Sequence, residues 1–534
     1  MEGTPSKEIP FKKTLSNIFS SYHLLYLIAL TIICFILRMY LQTYSSLIFS
    51  DEARLSVLAR NLIYGEPVSV MGGNEPRFVE HPLFILLLSL SFLLFGINDL
   101  AARIFPILFG SLLVFPTFFL AEKTFNRRIG IISTTLVASH WYLIGNSILV
   151  SSRIPFIFFL LTTLYFTIRF IDEKNPRIAL LAGFSCGISG LIRGEGFFLI
   201  IPLLVYVVIF EGDITILRNR LFWLFIAGFF LCSTPLFIRN ILITGNPVGR
   251  NPDEINLSLW ILKFFSLLIH QITPFSMLPF PLLAIFGLIG FFGSINQWKR
   301  CLHLYLTIGF FYFVFSSPMI FGARVIVSYI LPVLPIILIF ASAGIIFALD
   351  FAYCFLKNPT QIRAFYKSIS NNASIHRLFK KIHARILRIP ITKFFLIAFL
   401  LLILIFSTKY IVISSIEIPS TTDPIGYRIT GEWIRDNTKP DSRLMTQRSA
   451  IGWYANRTSY YFAGSKNYSH TISLCEAWNV SYLIFTKDVG DWYPHLLFLS
   501  EENNAPTNLK PVYVYEVGIN KIIVYEILYF RGDF

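Results

Sequence analysis

The chain is predicted to be a mainly α polytopic membrane helix bundle, with about 11 spans plus a re-entrant or interfacial helix, and a small extracytoplasmic α/β C-terminal domain. Three observations predict it. The 534 residues are 55% hydrophobic, 16% aromatic and 14% charged, with a mean hydropathy of +0.65, well outside the balance of a soluble domain. The apolar residues are gathered into runs that approach the about 20 residues a bilayer crossing needs. From about residue 417 onward the composition turns polar, and short alternating segments replace the long runs.

Residues 1–21 form a tail carrying Lys7, Lys12 and Lys13, followed by the first apolar run over 22–44. That run is read as a retained span, because no small-residue cleavage site follows it before Asp51. Ten further runs lie at about 101–121, 130–149, 154–171, 178–192, 196–210, 221–242, 277–294, 302–317, 325–349 and 393–412. Residues 82–97 are apolar but short, and charge decides how to count them. If they do not cross, Lys123, Arg127, Arg128, Lys174, Arg177, Arg218, Arg220, Lys299, Arg300 and the basic segment 357–393 all share a side with the N-terminal lysines. The expected topology is therefore a multi-pass plasma-membrane protein with a cytoplasmic N-terminus, a membrane domain over 22–412 whose first outer loop is 45–82, and an extracytoplasmic domain over 413–534.

The net charge of +15 sits in connectors between apolar runs, which is positive-inside topology and excludes a nucleic-acid groove. The six cysteines are scattered and give neither a disulfide framework nor zinc spacing. In the C-terminal domain the pattern predicts a helix over 426–437, a strand over 443–446, a helix over 471–478, a strand over 480–485, and a hairpin of strands 512–517 and 521–527 across Gly518, Ile519 and Asn520. Asn456, Asn467 and Asn479 open glycosylation-type sequons. Trp453 and Tyr454 are read as packing residues, with sugar stacking as the lesser reading.

The chemistry-bearing stretch is the first outer loop, where Asp51, Glu52, Arg54, Arg60, Glu66, Glu75, Arg77, Glu80 and His81 crowd against a bilayer. One reading makes Asp51 and Glu52 a charge pair capping the helix that follows. Against it, Asp51 and Arg54 are spaced to share one helix face, putting an acid beside a guanidinium. Glu80 and His81 stand just ahead of the short apolar helix, with Pro82 at a first helical position. Two acids and two cationic or ligand-type groups suit deprotonation of a hydroxyl or amine next to a bound phosphate.

The order of motifs resembles the GT-C type membrane glycosyltransferases, the broad family holding protein O-mannosyltransferases and the aminoarabinose transferases that modify lipid A. The resemblance rests on Asp51-Glu52-Ala53-Arg54, then Glu80-His81-Pro82-Leu83, then Ala101-Ala102-Arg103. It extends through Arg193-Gly194-Glu195-Gly196, through Arg239-Asn240 with Gly245-Asn246-Pro247, and through Arg324 ahead of Tyr329-Ile330-Leu331-Pro332. It implies a transferase that takes a sugar from a polyprenyl (dolichyl or undecaprenyl) phosphate donor at the extracytoplasmic face and passes it, with inversion, to a protein, glycan or lipid acceptor. The lipid bilayer is then a partner, and nucleic acid is not.

Carried over by position, Asp51 matches the general base and Arg54 a donor-phosphate contact. Glu80 matches a carboxylate of the substrate and metal region, and His81 stands where members carry a phosphate-binding Lys or His. Glu52 is a further catalytic candidate. Arg324 and Arg153 are phosphate candidates, Arg193 and Glu195 either pair with each other or support the site, and Arg239 is a boundary anchor. No cofactor is certain; Glu80 with His81 or His270 makes a weak ligand set for a divalent metal. The chain departs from the family in the Ser151-Ser152-Arg153 loop, where members carry another acid. The alternatives are a catalytically altered polyprenyl-lipid-binding relative, a lipid-glycan flippase or transporter, and, among enzymes, an oligosaccharyltransferase. The flippase would want ionisable residues mid-span and duplicated halves.

Overall fold

The computed structural model describes residues 10–44, 51–65, 81–211, 218–245, 281–315, 331–357, 424–462, 466–486, 489, 493–517 and 520–528. Helices dominate. In the membrane part they are α1 (Pro10–Leu41), α2 (Asp51–Tyr64), α3 (Pro82–Phe95), α4 (Asp99–Leu112), α5 (Val114–Thr124), α6 (Arg127–Ser139), α7 (Trp141–Ser147), α8 (Arg153–Glu173), α9 (Pro176–Ile192), α10 (Ile200–Glu211), α11 (Arg220–Thr244), α12 (Pro281–Gly293), α13 (Trp298–Phe315) and α14 (Leu334–Lys357). Among the described residues, five stretches are long and apolar enough to cross a bilayer: His23–Leu41, Asp99–Thr124, Arg153–Glu173, Arg220–Leu242 and Leu331–Asp350. The run expected over 393–412 lies outside the described residues.

Local chemistry explains where the expected runs break. The run over 130–149 divides at His140, whose backbone is extended (φ −71°, ψ 115°) and whose Nδ1 accepts the Tyr142 N–H at 3.3 Å, capping α7. The run over 101–121 is divided between α4 and α5 only at Leu113, itself in helical conformation (φ −56°, ψ −22°), just ahead of Pro116, which has no N–H to give to the preceding turn. The short helix α3 has 14 residues, which at 1.5 Å per residue reaches about 21 Å, less than the roughly 30 Å of hydrocarbon. It starts with Pro82 at the first helical position.

Helices meet closely where side chains are smallest. A Cβ at Gly183 of α9 would overlap the Phe225 carbonyl of α11, and one at Gly344 of α14 would overlap the Phe286 carbonyl of α12. Backbones can approach this far within a membrane only at such residues. Around them lies a core of buried Leu, Ile and Phe from α5, α6 and α8 to α14, including Leu160, Leu164, Phe225 and Phe340.

The C-terminal domain is a three-layer α/β unit. Its helices are α15 (Pro424–Asn437), α16 (Ser449–Ala455) and α17 (Tyr468–Ala477), and its strands β1 (Leu444–Met445), β2 (Ser459–Tyr460), β3 (Tyr482–Thr486), β4 (Leu509–Val517) and β5 (Asn520–Ile527). The sheet order is β2-β1-β3-β5-β4, parallel at β1 with β2 and β3, and antiparallel from β3 onward. The expected hairpin is β4–β5, closed by the pairing of Val517 with Asn520 and bulged between Pro511 and Tyr513, where proline has no N–H for the ladder. The small pieces α16 and β2 escaped the sequence reading.

Alternation along the strands assigns each side chain to one of two cores. Leu444, Ile484, Ile522 and Val524 face a cluster shared with α2, α3 and α4. Met445, Leu483, Phe485, Ile523 and Tyr525 face the domain's own second layer. The domain is therefore packed directly onto the membrane bundle, with its own helices α15 and α16 lying between the sheet and the bundle.

Replacing Gly344 by Leu is expected to force α12 and α14 apart at a cost of about 1–3 kcal/mol or more. A lower midpoint of thermal unfolding in detergent, with loss of the monodisperse peak, would be the readout; an unchanged midpoint would contradict the backbone contact.

Candidate active site

Helix α2 organises the site. Although its sequence is only half apolar, Glu52, Ala53 and all residues from Leu55 to Asn61 are buried. On one side it meets α3, where Ser89 Oγ donates to the Ala59 carbonyl oxygen at 3.0 Å. On the other it meets α16 of the C-terminal domain through the shared apolar cluster.

At its N-terminal end a cavity of about 230 Å³ opens, lined by Glu52 and Arg54 of α2, His81, Val150, Ser151, Ser152, Arg153 and Arg193. Four elements supply these groups: the start of α2, the start of α3, the turn before α8, and the C-terminal end of α9. His81 adopts the left-handed region (φ 55°, ψ 53°) immediately before Pro82, a strained choice for a residue with a Cβ. Arg153 is the first residue of α8, its N–H bound to Ser151 Oγ at 3.2 Å and its Nη1 to Asn146 Oδ1 at 3.3 Å. Arg193 ends α9 and forms a two-point pair with Glu195, Nη2 to Oε1 at 2.6 Å and Nε to Oε2 at 3.3 Å.

The carboxylate in the cavity wall is Glu52. Burial raises its pKa to about 7; Arg103, whose Nη2 lies 3.9 Å from Oε2, and the Val150 N–H pull the other way without cancelling it. A carboxyl so placed changes charge near neutrality. The Ser151 to Arg153 loop, where the resemblance predicts an acid, lines the cavity, and Glu52 lines it too, beside the Val150 N–H.

The structure brings Glu52, Arg54, His81, Arg153 and Arg193 together, with Glu195 held on Arg193. Asp51 is the first residue of α2. Glu80, Arg324 and His270 lie outside the described residues. The polar side chains at the cavity are chiefly cationic, a donor set that fits a phosphate better than a divalent metal. Arg239 donates to its neighbour Asn240 at 3.2 Å, as a residue at the end of a helix can.

Two groups were missed by sequence reasoning. Asp99, opening α4, accepts from Trp453 Nε1 at 2.9 Å and from the Tyr454 hydroxyl at 3.3 Å, so these aromatics join the two parts of the chain. Arg60, noted only as one charge among many, reaches the same α16 turn. Their partners lie more than 350 positions away in sequence, and no local signal announces them.

Residues 75–238 match the family model described as dolichyl-phosphate-mannose-protein mannosyltransferase. An uncharacterised protein of Aquifex aeolicus is 25% identical over 167 residues, which are 31% of this chain and 34% of that one, so the match spans about a third of that relative's length. Among solved structures, ArnT from Cupriavidus metallidurans bound to undecaprenyl phosphate aligns over 94% of this chain and 98% of its own, at 14% identity and a TM-score of 0.60. The archaeal oligosaccharyltransferase AglB from Archaeoglobus fulgidus, in complex with an inhibitory peptide and a dolichol-phosphate, aligns over 88% of this chain and 71% of its own, at 14% identity and a TM-score of 0.56. The chain is a multi-pass membrane protein with the GT-C glycosyltransferase fold.

Because the pKa of Glu52 in the folded chain lies above its ordinary value of 4.5, the stability it contributes is fully present below that value and is lost as pH rises through about 7. Glu52→Gln removes this dependence. The wild-type unfolding midpoint is therefore expected to fall relative to that of Glu52→Gln between about pH 5 and about pH 8; parallel curves would show that Glu52 does not titrate there.

Proposed function

We propose that this protein is a glycosyltransferase that moves a sugar from a polyprenyl-phosphate donor to a protein, glycan or lipid acceptor at the extracytoplasmic face, in one inverting displacement. The observation that carries this reading is the cavity at the N-terminal end of α2, where Arg54, His81, Arg153 and Arg193 converge beside the acidic pair that starts the helix. The GT-C fold, and the polyprenyl phosphates held by the two structural neighbours, support the choice of donor.

In this reading the donor phosphate lies against Arg54 and Arg153, with Arg193 completing the cationic wall, His81 as a hydrogen-bonding neighbour and Arg324 as a further contact. The acceptor oxygen or nitrogen attacks the anomeric carbon from the face opposite the phosphate. The bond between that carbon and the phosphate oxygen breaks, and its electron pair leaves with the lipid phosphate. Asp51 takes the acceptor's proton. Negative charge grows on the departing phosphate, and fixed guanidinium groups in a poorly hydrated cleft stabilise it more than they stabilise the ground state. Glu52, beside Arg103 and within the same wall, keeps the cationic cluster from being uniformly repulsive. Residues 22–412 would make the catalytic bundle, and 413–534 an exterior domain that takes part in selecting the acceptor. Cytoplasmic lysines at the N-terminus and an exterior C-terminus follow from the distribution of Lys and Arg.

The test is transfer by purified protein in liposomes supplied with radiolabelled polyprenyl-phosphate hexoses and a membrane extract as acceptor. Asp51→Asn is expected to lower kcat by roughly 10²–10⁴-fold, the usual contribution of a general base. Equal transfer by this variant would pass the role to Glu52 or Glu80. No transfer by the wild type, with undecaprenyl-phosphate binding intact, would favour the catalytically altered relative.

Arg153→Ala is expected to weaken undecaprenyl-phosphate binding by roughly ten- to a hundred-fold, as for loss of one charge-assisted contact. Isothermal titration in detergent would measure it, and unaltered affinity would remove Arg153 from the phosphate site.

A further inference from the structure

Arg60 lies in the middle of α2, two turns past Glu52, with 1% of its surface exposed. No carboxylate pairs with it among the described residues, and burial lowers its pKa to about 10. Its partners are carbonyl oxygens of the C-terminal domain: Nη2 donates to the Arg457 carbonyl at 2.7 Å, and Nη1 to the Gly452 carbonyl at 3.2 Å and to Asn456 Oδ1 at 3.4 Å. Those three acceptors form the turn that ends α16, where Asn456 takes the left-handed conformation. The turn is itself fixed from behind, because Arg457 donates through Nη2 to the carbonyls of Arg435 (3.0 Å) and Thr438 (2.8 Å) at the C-terminal end of α15.

A buried cation without a counter-ion is costly, and an apolar side chain of similar volume would stabilise the interface at least as well. What the guanidinium adds is geometry. Its rigid fork spans acceptors on two sides of one turn and admits a single rotation and rise of α2 against α16. A second anchor of the same kind lies on α4, where Asp99 receives Trp453 and Tyr454 from α16, and Trp453 packs against Phe92 of α3 with ring centroids 5.5 Å apart.

We infer that Arg60 is a positioning residue for sugar transfer: through the α16 turn, the C-terminal domain sets the angle at which α2, the helix that Asp51 opens, presents Glu52 and Arg54 to the cavity. The inference rests on the proposed function only in taking those residues as the working ones. Loss of the fork lets α2 rotate or slide while the apolar cluster keeps the domain attached. The reacting groups are then displaced without being removed.

The experiment compares wild type and Arg60→Met as full-length protein in liposomes, by transfer kinetics and by hydrogen–deuterium exchange with mass spectrometry. The expected result is a fall in kcat per folded molecule of roughly ten- to a hundred-fold, the scale of a misplacement near 1 Å, with donor KM changed less than about threefold. Peptides from residues 51–64 should exchange faster while those from α8 and α9 keep wild-type rates. Wild-type kcat together with wild-type exchange in α2 would overturn the inference. Reduced yield with unaltered kcat per folded molecule would overturn it as well, because that is what a purely structural role produces. If the wild type itself transfers nothing, the proposed function fails, and exchange in α2 alone decides whether Arg60 sets the helix. Should Arg60→Met not fold, Trp453→Phe keeps the ring packing and removes the bond to Asp99; a smaller change of the same pattern, roughly two- to fivefold in kcat, is expected, and none would count against the inference.

Discussion

A helix of mixed polarity buried on nearly every side is the constraint from which the junction between the bundle and the C-terminal domain follows. Taking Glu52 and Arg60 out of water costs free energy that apolar contacts of α2 alone do not offset. Each charge is therefore met by a group from another part of the chain. Glu52 meets Arg103 of α4 and the Val150 N–H, and Arg60 meets carbonyls of the α16 turn. Satisfying those two residues brings α4, the turn before α8 and the C-terminal domain to the same helix. The cavity is the space left where these elements cannot close at the start of α2.

The same logic separates the protein's two kinds of interior. Within the bundle, lipid offers no hydrophobic drive between helices, and close approach at residues such as Gly183 and Gly344 provides the contact. Where the C-terminal domain joins the bundle, apolar area from Phe84, Leu88, Ile451 and Val524 is buried in one shared cluster, and burial of such area from water is favourable. Polar anchors at Arg60 and Asp99 then give that looser apolar contact a fixed orientation. The guanidinium groups of Arg54, Arg153 and Arg193 line the cavity where α2, α8 and α9 meet.

Much of this architecture was legible in the chain. The run over 154–171 is α8, Pro82 does open α3, and the paired segments around residues 518–520 do form the hairpin β4–β5. Periodicity reports such elements because it is local. It could not show that His140 would break a continuous apolar run, since a histidine capping its own following turn leaves no mark on hydropathy. It also missed α16 and β2, which are too short to carry a period. At the site, residue type, spacing and the family resemblance together drew attention to Glu52, Arg54, His81, Arg153 and Arg193, and the structure sets them around one cavity. Arg60 and Asp99 were illegible because their meaning lies in acceptors and donors that the sequence places far away.

Distance along the chain has a temporal side. The helix that starts with Asp51 is synthesised early, yet Arg60 binds residues 392 and 397 positions later. Behind that turn stands β5, whose Ile522 and Val524 must face the bundle while Ile523 and Tyr525 face away. A slip of one residue in the final hairpin would exchange those sets. During translation the acidic pair and the guanidinium groups of the first outer loop therefore exist for a time without the contacts that fix α2. Assembly of the last strand completes the surface on which the α16 turn rests, so a truncated or misregistered chain would keep α2 but lose the contacts that Arg60 makes.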